Sequence, residues 1–191
     1  KNDTFKIIFL DESKGEAQAA AHVAIKANDF THIKVFLQGW TSRKKDEDLR
    51  SMVTHEMVHA LQGLVMGGAA YKKQPAWVRE ALAVHVAQQG PSKLGWALKR
   101  NGGKIEPILD GFSEGDDRAK LPEDYAEGWL GLKYLESTLG AAGYRKFLAM
   151  VIEQKVPVQQ AVAKSTQKSF KEFETAAHEF SRKSYEKLLK E

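Results

Sequence analysis

Residues 55–59 of the chain read His-Glu-Met-Val-His and are the residues best suited to carry out chemistry. Side chains four positions apart lie one above the other on a helix, so His55 and His59 can bind one metal ion. Glu56 then lies beside that ion, where its carboxylate can accept a proton from a metal-bound water. The pattern therefore predicts a metal site that activates water. The alternative for Glu56 is a salt bridge on an exposed helix face.

A catalytic zinc site needs three protein ligands and an open position for water, so a third ligand must come from elsewhere. A histidine shortly after the motif is excluded, because Gln62 and Val65 stand where an extended H-E-x-x-H-x-x-G-x-x-H pattern has Gly and His. Glu80 is the best candidate, since its neighbours in residues 75–83 are mostly apolar and a buried carboxylate needs a cation. The alternative is an exposed glutamate paired with a Lys or Arg. The remaining histidines are expected to lie on the surface or in the core, away from the ion: His22, His32, His85 and His178.

One long helix must carry the motif, and a second must carry Glu80. The segment from Asp46 to about Met66 has acidic residues at its start and Gly67-Gly68 after its end, which are typical helix boundaries. Pro75 suits the first turn of the next helix, and Gly90-Pro91 closes it. The two ligand-bearing helices are thus predicted to follow one another, joined by a short glycine-containing loop.

Two segments near the start of the chain have the composition of β-strands, Thr4–Leu10 and His32–Gln38, and the alanine-rich Gly15–Asn28 between them favours a helix. From Pro122 onward the chain has helical patterns only, and the first of these helices is predicted to run to about Leu139 and to end at Gly140. The core positions expected on this helix are Ala126, Leu130, Leu132 and Leu135. We therefore predict an α+β fold with a small N-terminal sheet, followed by a mainly helical C-terminal part. Residues 1–191 are predicted to form one domain, with an α/β part (1–68) containing the motif helix and a helical part (69–191) carrying the third ligand.

The composition is that of an ordinary globular domain and excludes several classes of metal site and partner. The 191 residues are 42% hydrophobic and 28% charged, as in ordinary globular domains, and no apolar run is long enough to span a membrane. Cysteine is absent, which excludes disulfides and thiolate metal sites. The net charge of +4 is spread without a compact Lys/Arg cluster among aromatic residues, so no nucleic-acid partner is expected.

The segment HEMVHAL, a glycine-containing loop and the segment PAWVREALAVHV together resemble the gluzincin metallopeptidases, whose third ligand is a glutamate on the helix after the motif helix. The pattern is most similar to the compact bacterial group often called peptidase MA-like, with its Pro-x-Trp-hydrophobic-x-Glu-x-Leu-Ala segment. The resemblance covers about residues 33–139. It implies a zincin-like fold, a Zn²⁺ ion held by His55, His59 and Glu80, and Glu56 as the general base.

The resemblance further implies hydrolysis of amide bonds in a peptide or protein substrate, without a covalent intermediate. A nucleophilic route has no candidate residue, because the chain contains neither a Gly-x-Ser-x-Gly elbow nor a cysteine. The resemblance favours a bacterial protein of the cell envelope or a secreted one. No signal peptide is recognisable, and since the chain begins at Lys1 we expect a trimmed or mature form.

Two features depart from the related peptidases. The Gly-x-Met-Glu-Asn signature of the large aminopeptidases is absent, so recognition of a substrate amine of that type is not expected. Thermolysin-like members carry an acidic residue four positions after the glutamate ligand, where it orients a histidine. Val84 occupies that position here, so the group that orients the histidine must come from elsewhere.

Tyr125, near the start of the helix after Pro122, is the candidate donor to the oxyanion, a role that related peptidases give to a tyrosine or histidine. The alternative is a packed tyrosine with a hydrogen-bonded hydroxyl.

Two other functions stay open for the chain. An inactive, zinc-stabilised binding module would be expected to have lost Glu56, and a basic nucleic-acid-binding helical domain would need a stripe of Lys and Arg residues.

Overall fold

The computed structural model describes residues 6–11, 32–37, 46–112 and 122–191, with side chains for residues 50–112 and 122–191. Within these residues the chain forms two strands, seven α-helices and one short 3₁₀ turn, Glu106–Ile108. The strands are β1 (Lys6–Asp11) and β2 (His32–Leu37). The helices are α1 (Asp46–Met66), α2 (Gly68–Lys73), α3 (Ala76–Val86), α4 (Gly90–Arg100), α5 (Pro122–Ile152), α6 (Val158–Thr166) and α7 (Phe170–Leu188).

Glycine and proline set the boundaries of the helices that carry the motif. Helix α1 ends before Gly67, whose φ of 79° lies in the left-handed region that glycine adopts readily. The chain then forms α2, a six-residue helix where the sequence predicted only a loop. Pro75 precedes the first residue of α3, as predicted for the start of that helix.

Helix α5 crosses the whole helical part and contacts most of its neighbours. Gly140 interrupts it with φ 63° and ψ 172°, which confirms the predicted helix end at this glycine. A Cβ on Gly128 would lie 2.8 Å from the backbone oxygen of Trp77, so only glycine allows α5 to approach α3 this closely. This contact fixes the start of α5 beside the helix that carries Glu80.

Helices form most of the described core, which has two clusters of buried side chains and also includes Ile105, Leu109 and Phe112 from the segment between α4 and α5. One packs α1 and α3 against the second half of α5, with α6 and α7 completing it, and the other packs α4 against the first half of α5. Trp77 is buried in the first cluster, with its ring 4.5 Å from that of Phe112. The predicted core positions on α5 are confirmed as buried: Ala126, Leu130, Leu132 and Leu135.

The predicted α+β fold with an N-terminal sheet is wrong, because the described fold is all-helical. Among residues 50–112 and 122–191, helices account for 80% and none belongs to a strand. Strands β1 and β2 pair only with each other, in parallel, from Lys6 with His32 to Asp11 with Leu37. A two-stranded pair is too small to form a layer of its own, so the packing of helix on helix decides the fold class.

Candidate metal centre

Packing of α1 against α3 brings three of the predicted side chains to one point. The Nε2 atoms of His55 and His59 lie 3.1 Å apart, and Oε2 of Glu80 lies 3.3 Å from the first and 3.2 Å from the second. Both histidines are buried, and the Glu80 side chain is 19% exposed. Ser51 on α1 donates a hydrogen bond to the backbone oxygen of Ala87, which holds the end of α3 against the motif helix.

The spacing of these three atoms suits a small tetrahedral cation. Zinc binds histidine nitrogen and carboxylate oxygen at about 2.0–2.2 Å, which places the ligand atoms of a tetrahedron roughly 3.3–3.5 Å apart. The observed separations of 3.1–3.3 Å are close to that range. His55, His59 and Glu80 could therefore hold a metal ion, and two imidazoles with one carboxylate form a donor set that zinc accepts.

The other nitrogen of each imidazole faces a neutral oxygen. Nδ1 of His55 lies 3.0 Å from Oε1 of Gln89. Nδ1 of His59 lies 3.4 Å from Oε1 of Gln62 and 3.2 Å from the hydroxyl of Tyr71. If Nδ1 donates to these oxygens, each Nε2 keeps a lone pair directed at the other two ligand atoms. In that tautomer the three lone pairs repel one another, and a metal ion or a proton between them relieves the repulsion.

Burial and mutual contact shift the pKa values of the three candidate ligands in different directions. Burial lowers the pKa of His55 despite the hydrogen bond to Glu80, and the nearby charges of His59 and Lys93 lower it further. Burial opposes protonation of His59 as well, but its contact with Glu80 and the charge of Glu56 raise its pKa overall. Burial alone would raise the pKa of Glu80, yet the two histidines hold it far below its usual range. Glu80 is therefore an anion that requires positive charge beside it.

The two predicted catalytic side chains lie near this cluster. Glu56 is half-buried, and its negative charge raises the pKa values of His59, Tyr71 and Tyr125, which places its carboxylate within electrostatic reach of the site. The ring centre of Tyr125 lies 6.3 Å from that of His55, and Lys93 Nζ lies 4.8 Å from the ring centre of Tyr125. Burial and the charges of Glu80 and Glu56 raise the pKa of Tyr125, so its phenol stays protonated and able to donate.

Sequence reasoning did not identify the outer contacts of the histidines. Gln62 was considered only as a departure from a longer motif, and Tyr71 lies in α2, which was predicted to be a loop. Gln89 immediately precedes α4, 34 positions after His55. Burial raises the pKa of Tyr71 to about 12, so this phenol too is neutral. The sequence shows that Gln62, Tyr71 and Gln89 are polar, but no spacing rule links these three residues to the motif.

Two of the other histidines lie away from the cluster, as predicted. The ring of His85 packs 5.9 Å from that of Tyr144. Nε2 of His178 lies 2.8 Å from Oε1 of Glu127, which also accepts a hydrogen bond from the backbone N–H of Gly111. His32 lies in β2, for which only the backbone is described, and His22 lies outside the described residues.

Comparison of the chain with protein-family models, with curated proteins and with solved structures gave no match. Within the described part of the chain, no helix has the length and apolar character needed to cross a membrane.

Proposed function

We propose that this protein is a zinc-dependent peptidase of the gluzincin type, with His55, His59 and Glu80 as the metal ligands. The observation that carries the proposal is the convergence of two Nε2 atoms and one carboxylate oxygen within 3.1–3.3 Å. The donor set and the H-E-x-x-H pattern together match the chemistry of zinc hydrolases.

The chain supplies the groups that amide hydrolysis requires. When bound, zinc acidifies a coordinated water and polarises the substrate carbonyl. Glu56 accepts a proton from the attacking water and passes it to the nitrogen of the leaving amine. The Tyr125 hydroxyl donates a hydrogen bond to the carbonyl oxygen as that oxygen gains negative charge. Tyr125 donates as a neutral phenol, because burial and the charges of Glu80 and Glu56 raise its pKa.

The substitution Glu56→Gln tests this proposal, because it keeps the size of the side chain and removes the proton acceptor. We expect purified wild-type protein to contain about one zinc per chain and to cleave members of a peptide library. Glu56→Gln should retain zinc, while its rate of cleavage falls by about 10²- to 10⁴-fold. Glu153→Gln, an exposed position between α5 and α6, is the matched control and should behave as wild type.

The same experiment separates the proposal from its nearest alternative. Zinc in the wild type without cleavage of any library peptide would favour a zinc-stabilised binding module. Equal cleavage by Glu56→Gln and wild type would show that Glu56 is not the base. Wild-type protein that binds no zinc would reject the metal centre itself.

A further inference from the structure

The Nδ1 contacts of the two histidines have a feature that the proposed function does not require: in the described part of the chain, the oxygens that face these nitrogens belong to uncharged side chains. Gln89 contacts His55, and Gln62 and Tyr71 contact His59. Outer partners of this kind orient metal-binding imidazoles, and when the partner is a carboxylate it also increases the basicity of the metal-binding nitrogen. An amide or a phenol supplies the orientation without the charge.

The amide of Gln62 is held with its oxygen toward His59. Its Nε2 lies 3.5 Å from the backbone oxygen of Arg79 and donates to it, which leaves Oε1 facing Nδ1 of His59. The Tyr71 ring is flanked by the Arg79 guanidinium, 5.2 Å from its centre. Both partners of His59 are thus fixed by contacts with the first half of α3.

Gln89 projects from a backbone that is fixed on both sides. Its N–H donates to the backbone oxygen of Val84 at 2.9 Å, and its carbonyl accepts from the N–H of Lys93 at 2.9 Å. The next residue, Gly90, packs so closely on the indole of Trp129 that a Cβ there would overlap the ring. Gln88 has a φ of 56°, which turns the chain between α3 and α4 and directs it past His55. The Gln89 side chain therefore approaches the imidazole from a rigid turn.

We propose that Gln89 is the positioning residue of His55, and that Gln62 and Tyr71 together position His59, so that both ligand histidines are oriented at Nδ1 by neutral partners. This inference rests on the metal site of the proposed function but not on its hydrolytic activity. It implies that a variant with a carboxylate at position 89 would bind zinc at least as tightly as the wild type. The contact with Nδ1 of His55 would be kept, and a negative charge would be added beside the imidazole.

Zinc affinity, measured by competition with a chromophoric chelator, tests the role of Gln89. Gln89→Leu removes the acceptor and should weaken zinc binding by about 10- to 100-fold. Gln89→Glu should bind zinc at least as tightly as the wild type. Gln89→Asp adds the same charge on a side chain one carbon shorter, so it should recover less affinity than Gln89→Glu. Gln160→Leu, an exposed glutamine on α6, is the matched control and should leave the affinity unchanged.

Thermal melting of the metal-free variants separates positioning from folding, because a purely structural role predicts that Leu and Glu at position 89 both destabilise and both bind zinc weakly. The inference would be overturned if Gln89→Leu bound zinc within twofold of the wild-type affinity. It would also be overturned if Gln89→Glu bound zinc as weakly as Gln89→Leu. Neither result would contradict the metal centre itself. Wild-type protein without zinc affinity would overturn both. The two failures are therefore distinguishable in one series.

Discussion

Two buried clusters in the described part of the chain combine histidine with glutamate, and they differ in how many potential ligand atoms converge. At the metal centre, two Nε2 atoms and Oε2 of Glu80 converge while both Nδ1 atoms already face other oxygens. At the second cluster, Oε1 of Glu127 accepts from His178 at 2.8 Å and from the backbone N–H of Gly111 at 3.0 Å. Three potential ligand atoms converge in the first cluster, whereas in the second Glu127 contacts one histidine and one backbone N–H.

The second cluster has a structural function that follows from its contacts. It joins α5 and α7 to the loop at Gly111, and Glu174 on α7 accepts from the next backbone N–H, that of Phe112, at 3.2 Å. The comparison shows that burial of a His–Glu contact does not by itself indicate a metal site. The convergence of two imidazole nitrogens and one carboxylate oxygen on a single point is the feature that makes the first cluster the candidate metal site.

The largest expected difference between the clusters is in metal binding. Glu80→Ala removes one of three ligands and should weaken zinc binding by more than the ~100-fold typical of losing an outer partner. His178→Ala should leave the zinc content unchanged. Elemental analysis of both variants after dialysis checks this, and zinc retained by Glu80→Ala at wild-type affinity would place the third ligand elsewhere.

The second cluster should in turn dominate the effect on stability. His178→Ala leaves the buried Glu127 without its partner, which should lower the free energy of unfolding by roughly 3–5 kcal/mol. Lys183→Ala breaks the exposed contact with Glu179 on the same helix and should cost less than about 1 kcal/mol. Urea denaturation of the three proteins measures both effects, and equal midpoints for His178→Ala and Lys183→Ala would contradict a structural role for the Glu127 contact.

Tyr125 lies two residues before Glu127 on α5, and its ring is also close to that of His55. Substitution of Tyr125 therefore distinguishes a catalytic role at the candidate metal centre from a packing role in α5. As an oxyanion donor, Tyr125→Phe should lower kcat by about 10- to 10³-fold with little change in KM, zinc content or Tm. As a packed tyrosine, it should instead cost about 1 kcal/mol of stability and leave kcat nearly intact.

Tyr144 offers a matched control for that substitution. Its hydroxyl is buried on the same helix and has no hydrogen-bond partner among the described residues. Tyr144→Phe should therefore leave kcat unchanged and should not lower the stability. An unchanged kcat in Tyr125→Phe would remove Tyr125 from the catalytic site.

The smallest expected effect concerns pH. Burial raises the pKa of Glu127 above its ordinary 4.5, although contact with His178 opposes the shift. A carboxyl whose pKa is higher in the folded state binds its proton more tightly there, so this contribution favours folding at low pH and is lost as the pH rises through the raised pKa. Between about pH 4 and pH 7, the stability of the wild type relative to Glu127→Gln should therefore decrease. Parallel pH profiles from chemical denaturation would show that the shift does not affect folding.

Several features of the fold could be predicted from local sequence because they depend on local interactions. Acidic residues and Gly67 predicted the boundaries of α1 as Asp46–Met66, and Gly140 predicted the break in α5. The short helix α2 was missed, since six residues between a glycine and a proline do not show a helical period. The predicted α+β fold class was wrong because strand composition is a property of a short segment. Fold class instead depends on whether the strands form a layer on which other elements pack.

The sequence by itself determined which residues could bind a metal, because a four-residue spacing on a helix places His55 and His59 on one face wherever that helix lies. It also identified Glu80, through a carboxylate in an apolar segment. Only the tertiary structure decided that α1 and α3 bring all three atoms within 3.1–3.3 Å, and that Gln89 and Tyr71 face the histidines. Apart from the His55–His59 pair, these contacts join residues 12 to 34 positions apart, and their geometry depends on helix packing that no local pattern encodes.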